Sequence, residues 1–197
     1  MKKILILGDS FAADWSVKYD DYKGWPNLLQ EKYDVTNVAQ AGVGEYKIYK
    51  QIMSIDLSKY DTIIISHTSP YRVHTRNHPI HVYDKLHKNA DMIYNDIRYH
   101  RFRLRNILNR ALKAAYDFFT YHFDDEYFNT TYWLYRKEID IKLKKKHVIV
   151  IDNFHKKSSS LNFLYMAPQH SGKINHFSET GNRIIYDKLV QEIERYK

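Results

Sequence analysis

The chain contains no cysteine. That excludes disulfides, thiolate-held metals and a cysteine nucleophile. No apolar run approaches the roughly 20 residues that a membrane-spanning helix needs. The start, MKKILIL, looks like a signal peptide, two lysines and then apolar residues. Its apolar stretch runs only from Ile4 to Leu7, whereas a signal core needs about 7–15 residues. A first β-strand and a cytoplasmic protein are the expectation. Phosphate-cradling signatures are missing too. There is no G-K-[ST], and AGVGEY at residues 41–46 lacks the G-x-G-x-x-G spacing. Internal repeats and low-complexity tracts are absent.

What is present suits one globular domain. The chain has 197 residues, of which 44% are hydrophobic and 27% charged, enough to bury a proper core. The formal charge is +8. Lys, Tyr, Ile and Asn are all abundant, as AT-rich coding favours, so the basic balance needs no nucleic-acid partner and none is expected. His74, His78 and His81 sit in HTRNHPIH, between His67 and His87. Pro79 interrupts any helix there, and the glutamate of H-E-x-x-H is missing. This reads as a polar loop, with no metal and no cofactor.

Apolar runs and helical spacings alternate along the chain. KILIL (residues 3–7), YDVTNV (33–38), DTIIIS (61–66) and HVIVI (147–151) read as strands, with LNFLY (161–165) as a weaker fifth. Helices are expected over residues 25–32, 44–55 and 178–196, the last capped by Ser178. Strands alternating with helices imply a three-layer α/β/α sandwich with a parallel, flavodoxin-like five-stranded sheet of order 2-1-3-4-5. A helical insert occupies about residues 70–146 of a single domain spanning 1–197. Within it, Leu104, Ile107, Leu108, Ala111, Leu112, Ala115, Phe118 and Phe119 follow i, i+3, i+4, i+7 spacing and predict one amphipathic helix. Another is expected over 125–145. The basic set Arg98, Arg101, Arg103, Arg105, Arg110 and Lys113 reads as a solvated face.

Ligands of open α/β sheets bind at the carboxyl ends of the strands. Gly8, Asp9 and Ser10 follow the first strand, Gly42 and Gly44 the second, and SHTSPYR (66–72) ends the third. His176 precedes the last helix. A hydroxyl, glycine amides and an imidazole thus converge on one edge. Acyl transfer needs those parts: a nucleophile, a base and N–H donors for the oxyanion. Singly, each has a plainer use. Gly-Asp-Ser can be a capped turn, glycines can simply turn the chain, and one histidine among 11 carries no signal.

Together these segments resemble the SGNH/GDSL hydrolases. ILILGDSFA (4–12) is similar to the family's first block, with Ser10 in the nucleophile's place. GWPNLLQEKY (24–33) resembles the helix that follows it. NVAQAGVGEYKI (37–48) is similar to the second block, with Gly42 as the oxyanion glycine. NHFSETGNRIIYDKL (175–189) resembles the histidine block, with His176 as base. The resemblance covers both ends of the chain, about residues 1–70 and 165–197.

Two positions depart from the family's pattern. Its Gly-x-Asn-Asp block is SHTSPYR here, with Thr68 about where the Asn donor would fall and His67 and Ser69 beside it. Its Asp, three residues before the His, is Lys173. A backbone carbonyl, Glu179 or Asp152 is then left to orient the imidazole. The resemblance implies a serine ester hydrolase acting on small acyl esters or O-acylated carbohydrate. Ser10 and Gly42 amides, with Thr68, would form the oxyanion hole. An O-acyltransferase on glycans is the alternative enzyme, and a non-catalytic binding protein on the same fold is the alternative of another class. Trp15 and Tyr71 are candidate stacking platforms for a sugar.

Overall fold

The computed structural model describes residues 1–19, 21–155, 160–172 and 176–195. Four parallel strands form the sheet: β1 (Lys3–Gly8), β2 (Asp34–Asn37), β3 (Thr62–His67) and β4 (His147–Asp152), in the order β2-β1-β3-β4. Side chains of the inner strands β1 and β3 alternate between two buried faces, whereas the edge strand β2 is half-exposed. Ile4, Ile6, Ile64, Ile149 and Ile151 pack against α1 (Trp25–Gln30) and α6 (Glu179–Arg195). Leu5, Leu7, Ile63 and Ile65 pack against Ile48 and Ile52 of α2 (Glu45–Met53). Unbroken apolar runs such as TIII are what a parallel sheet covered on both sides demands.

The expected fifth strand is not formed. Leu161 makes one parallel bridge to Ile151, its N–H donating to Val150 O at 2.8 Å, and the pairing stops there. Asparagine side chains take over the backbone. Asn162 Nδ2 donates to Asp152 O at 2.9 Å, and Asn153 Oδ1 accepts the Phe163 N–H at 3.0 Å. Asn162 Oδ1 also accepts the Leu164 N–H at 3.0 Å; such a local side-chain bond competes with a ladder, and residues 164–166 turn into a short 3-10 helix.

Between β3 and β4 lie α3 (Tyr94–Arg101), α4 (Arg110–Tyr121) and α5 (Asp125–Leu143). The last turns of α5 belong to the sandwich, since Ile139 and Leu143 share a core with α2 and the sheet. Helices α3 and α4 pack on each other around Ile97, Leu112, Ala115 and Phe119, with Val73 beside them. The single amphipathic helix expected from Leu104 onwards is broken. Asn109 Oδ1 accepts the Leu112 N–H at 3.0 Å, so α4 starts at Arg110. Asparagine is a strong helix initiator at that position. Leu104 falls instead in a 3-10 turn, Leu104–Asn106. Among the described residues, no helix is long and apolar enough to cross a membrane.

Candidate active site

Gly8 ends β1 with φ +137°, where a Cβ would collide with the Ser66 backbone of the neighbouring strand. Only glycine fits there. Asp9 comes next and is fully buried. Its Oδ1 accepts the Phe11 N–H at 3.0 Å and the Ser66 hydroxyl at 3.2 Å. Burial pushes its carboxyl up to about 6, against the pull of Arg72 and these donors. Asp9 is thus a structural turn residue. The chain beyond it is pinned by its carbonyls. Ser10 O accepts the Trp15 indole N–H at 2.8 Å, Phe11 O that of Trp25 at 2.7 Å, and Ala12 O the Asn37 amide at 2.9 Å. Ser10, 6% exposed, is held at the end of β1.

His176 arrives from the other end of the chain. It lies in a short hairpin, with Ser171 bridged to Phe177 and the Gly172 N–H donating to His176 O. The hairpin is bolted to α1 by Asn182. Its Oδ1 accepts the Trp25 N–H at 3.0 Å, and its Nδ2 donates to Phe177 O at 3.1 Å and to the Tyr22 hydroxyl at 2.9 Å. Ser178 caps α6 as expected, its Oγ accepting the Gly181 N–H at 3.3 Å. Gly181 is needed because a Cβ there would lie 2.9 Å from His170 Cβ.

Ser10 and His176 line the same cleft, with Phe11, Trp15, Tyr22 and Asn182. The imidazole packs 4.2 Å from the Trp15 ring and 4.9 Å from the Phe11 ring, centroid to centroid. The free space is about 10 Å³, room for a single water.

Similar solved structures exist, at low identity. A protein described as lipolytic and of the G-D-S-L family, from Desulfitobacterium hafniense DCB-2, aligns over 98% of this chain and 99% of its own, with 15% identity and a TM-score of 0.40. An extracellular lipase from Streptomyces rimosus aligns over 98% of this chain and 73% of its own, with 12% identity and a TM-score of 0.36. No protein-family model and no curated protein matches the chain.

The other expected site residues are not in the lining of this cleft, although Ala41, beside Gly42, packs in one cluster with Ala13 and Trp15. Gly42 is left-handed, φ +77°, in the loop after β2. Its carbonyl accepts the Asp91 N–H at 2.9 Å and Arg72 Nη1 at 3.0 Å. Thr68 is buried beneath that loop. Its Oγ1 accepts Arg72 Nε at 3.0 Å and its N–H points to Glu45 Oε2 at 3.4 Å. His67 Nδ1 pairs with Glu45 Oε1 at 2.6 Å. Ser69 lines a second, larger cavity of about 320 Å³, with Glu45, Arg72, His74, Asp91 and Tyr135.

Neither carboxylate considered as a histidine orienter sits in the Ser10–His176 cleft. Asp152 is spent on Arg136 Nη1, at 2.5 Å, and on the N–H groups of Phe154 and His155 at 3.1 and 2.8 Å. Burial pushes the Asp152 carboxyl up, but the Arg136 guanidinium outweighs it and holds the group below the usual carboxylate range. Glu179 opens α6 and lines a separate cavity with Asp21, Lys23 and Arg183. Lys173, in the place of the family's Asp, lies outside the described residues. Of the two aromatic platforms considered, Trp15 stands in the cleft and Tyr71 outside it.

Two residues with no motif signal position the site. Asp91 braces the Gly42 loop, its Oδ2 accepting the Gly44 N–H at 2.7 Å and its Oδ1 pairing with Lys47 at 2.7 Å. Arg72 ties Thr68 to Gly42. The donor atoms of His78, His81 and Asp96 also come within 4.8 Å of one another. His78 Nδ1 accepts the N–H groups of Ile80 and His81, at 3.2 and 3.3 Å. A neutral ring so bonded carries its proton on Nε2, the atom 3.5 Å from Asp96. That is a hydrogen-bonded cluster rather than a ready ligand set.

Proposed function

We propose that the chain is a serine-dependent ester hydrolase acting on small acyl esters, O-acylated carbohydrate among them. One observation carries this reading: a hydroxyl from the end of β1 and an imidazole from the start of α6 share one cleft at the carboxyl edge of the sheet. A structural cap serine has no need of an imidazole delivered from the far end of the chain.

In the proposed mechanism His176 takes the proton of Ser10 Oγ, and the oxygen attacks the ester carbonyl carbon. The oxyanion is held by the N–H groups of Ser10 and Gly42. Thr68 braces Arg72 under the Gly42 carbonyl and acts through that loop. The imidazolium returns its proton to the departing alcohol. Water, deprotonated by His176, then splits the acyl-enzyme and frees Ser10. Packing against Trp15 and Phe11 helps to hold the imidazole in place. Substrate entry requires one of these rings to swing, because the closed cleft has room only for water.

Hydrolysis of a short-chain chromogenic ester, with labelling by a fluorophosphonate, tests the proposal. Wild type should turn over and label at Ser10, and Ser10→Ala should do neither. Equal rates in the two proteins remove the nucleophile. Acyl consumption that depends on an added glycan acceptor would identify a transferase instead.

A further inference from the structure

The α3–α4 hairpin ends in a tip that reads RYHRFRLRNILNR, residues 98–110. It holds five arginines and no carboxylate. The acids nearest in sequence have other partners: Asp96 lies against His81 and His100, and Asp117 pairs with Lys113. Among the described residues, none of the five guanidinium groups has a carboxylate partner. Arg103 lies over the Tyr99 ring, 4.0 Å from its centroid.

The same tip is apolar and bare. Phe102 is 70% exposed, Leu104 86%, Ile107 53% and Leu108 92%. The late start of α4 is the cause. With Asn109 as its first cap, the buried stripe of α4 begins at Leu112, and the apolar residues before it are left pointing away from the hairpin core. Single exposed leucines are ordinary, but a contiguous apolar patch marks an interaction surface.

From this arrangement we infer that the tip docks on the surface of an anionic lipid bilayer. Arginines interleaved with aliphatic and aromatic side chains suit the boundary between headgroups and acyl chains. The guanidinium groups pair with lipid phosphates, and Leu104, Leu108 and Phe102 enter the acyl boundary. Single-stranded RNA fits less well, because its bases stack on aromatic rings and the two most exposed side chains here are leucines. A second copy of the tip is opposed by its own like charge. The face read from sequence as merely solvated thus has a partner of complementary charge. The inference goes beyond ester hydrolysis and does not depend on it.

Sedimentation of the full chain with vesicles tests it, using phosphatidylcholine alone and phosphatidylcholine mixed with phosphatidylglycerol. Binding is expected only with the anionic lipid and should weaken as salt is raised. Leu104→Ser with Leu108→Ser should lower the partition coefficient about tenfold or more. Arg103→Gln with Arg105→Gln should lower it by a similar factor. Because these side chains lie largely outside the hairpin core, unchanged thermal melts would show that both variants fold. Equal sedimentation with the two lipids, or variants that bind like wild type, would overturn the inference. So would an RNA oligonucleotide that displaces the vesicles, or a dimer that the leucine substitutions dissociate.

Discussion

At the end of β1, Ser10 and His176 line one small cleft among aromatic rings. At the ends of β3 and β4, His67 meets Glu45, Arg72 meets Thr68 and Gly42, and Arg136 meets Asp152. Both regions lie along one edge of one sheet. The second sets buried polar and charged side chains against one another, as burial requires. In the first, the indoles of Trp15 and Trp25 and the Asn37 amide bond to backbone carbonyls, and the Ser10 and His176 side chains line one cleft. The charged region holds loops in place, and the aromatic region is where the proposed chemistry would run.

The contrast is broken most severely at Ser10. Ser10→Ala should lower ester turnover by at least about 10⁴-fold, as for a nucleophile acting with its base, while leaving the thermal midpoint nearly unchanged. His176→Ala should cost a similar factor.

Asp152→Ala should do the reverse. Stripping the partner from a buried arginine costs about 3–5 kcal/mol, read as a lower urea midpoint. Turnover of the folded fraction should stay close to wild type. A loss near the ~10⁴ expected for a missing histidine orienter would return Asp152 to the active site.

Asp9 belongs to neither region and titrates against both. Its carboxyl sits at about 6 in the folded protein, raised by burial. The native state therefore holds the proton more tightly than the unfolded chain. Stability should fall as pH rises from about 4 towards 6 and stay lowered above. Asp9→Asn should gain up to about 3 kcal/mol near pH 8 and little near pH 3.5 in urea melts, since a shift of one pH unit is worth about 1.4 kcal/mol. Asp152 has the opposite sign: its stabilisation is lost as pH falls.

Gly42→Ala should cost about 1–3 kcal/mol, because the position is left-handed and the new Cβ would lie 2.7 Å from Ala90 Cβ. It should also reduce turnover by moving an oxyanion donor. The smallest effect is expected at Glu179. Glu179→Gln should change neither melting temperature nor turnover beyond about twofold, as exposed single charges contribute little. A larger loss of turnover would reinstate it beside His176.

Much of this was legible in the chain. Three of the four strands appear as apolar runs, β2 being the polar exception, and β1 stops at Gly8 because a glycine is the one residue that clears Ser66. Ser178 and Pro26 announced their helices. The fifth strand misled because LNFLY is apolar enough to pair, while its Asn162 bonds locally instead. The helix from Leu104 misled because periodicity does not register a cap, and Asn109 is one. Asp91 and Arg72 carried no readable signal, for their roles are bonds to backbone brought near by the fold; Asn182 stood in the histidine block, but its bonds to Trp25 and Tyr22 were not readable.

Local chemistry along the chain determined where strands begin and end, which turns require glycine, and that a serine and a histidine stand at the ends of elements. It did so because backbone sterics and capping act over a few residues. Which carboxylate stands near which cation, and which rings enclose the imidazole, only the tertiary structure decided. Those pairings join residues far apart in sequence, and burial fixes their partners only after the layers have packed.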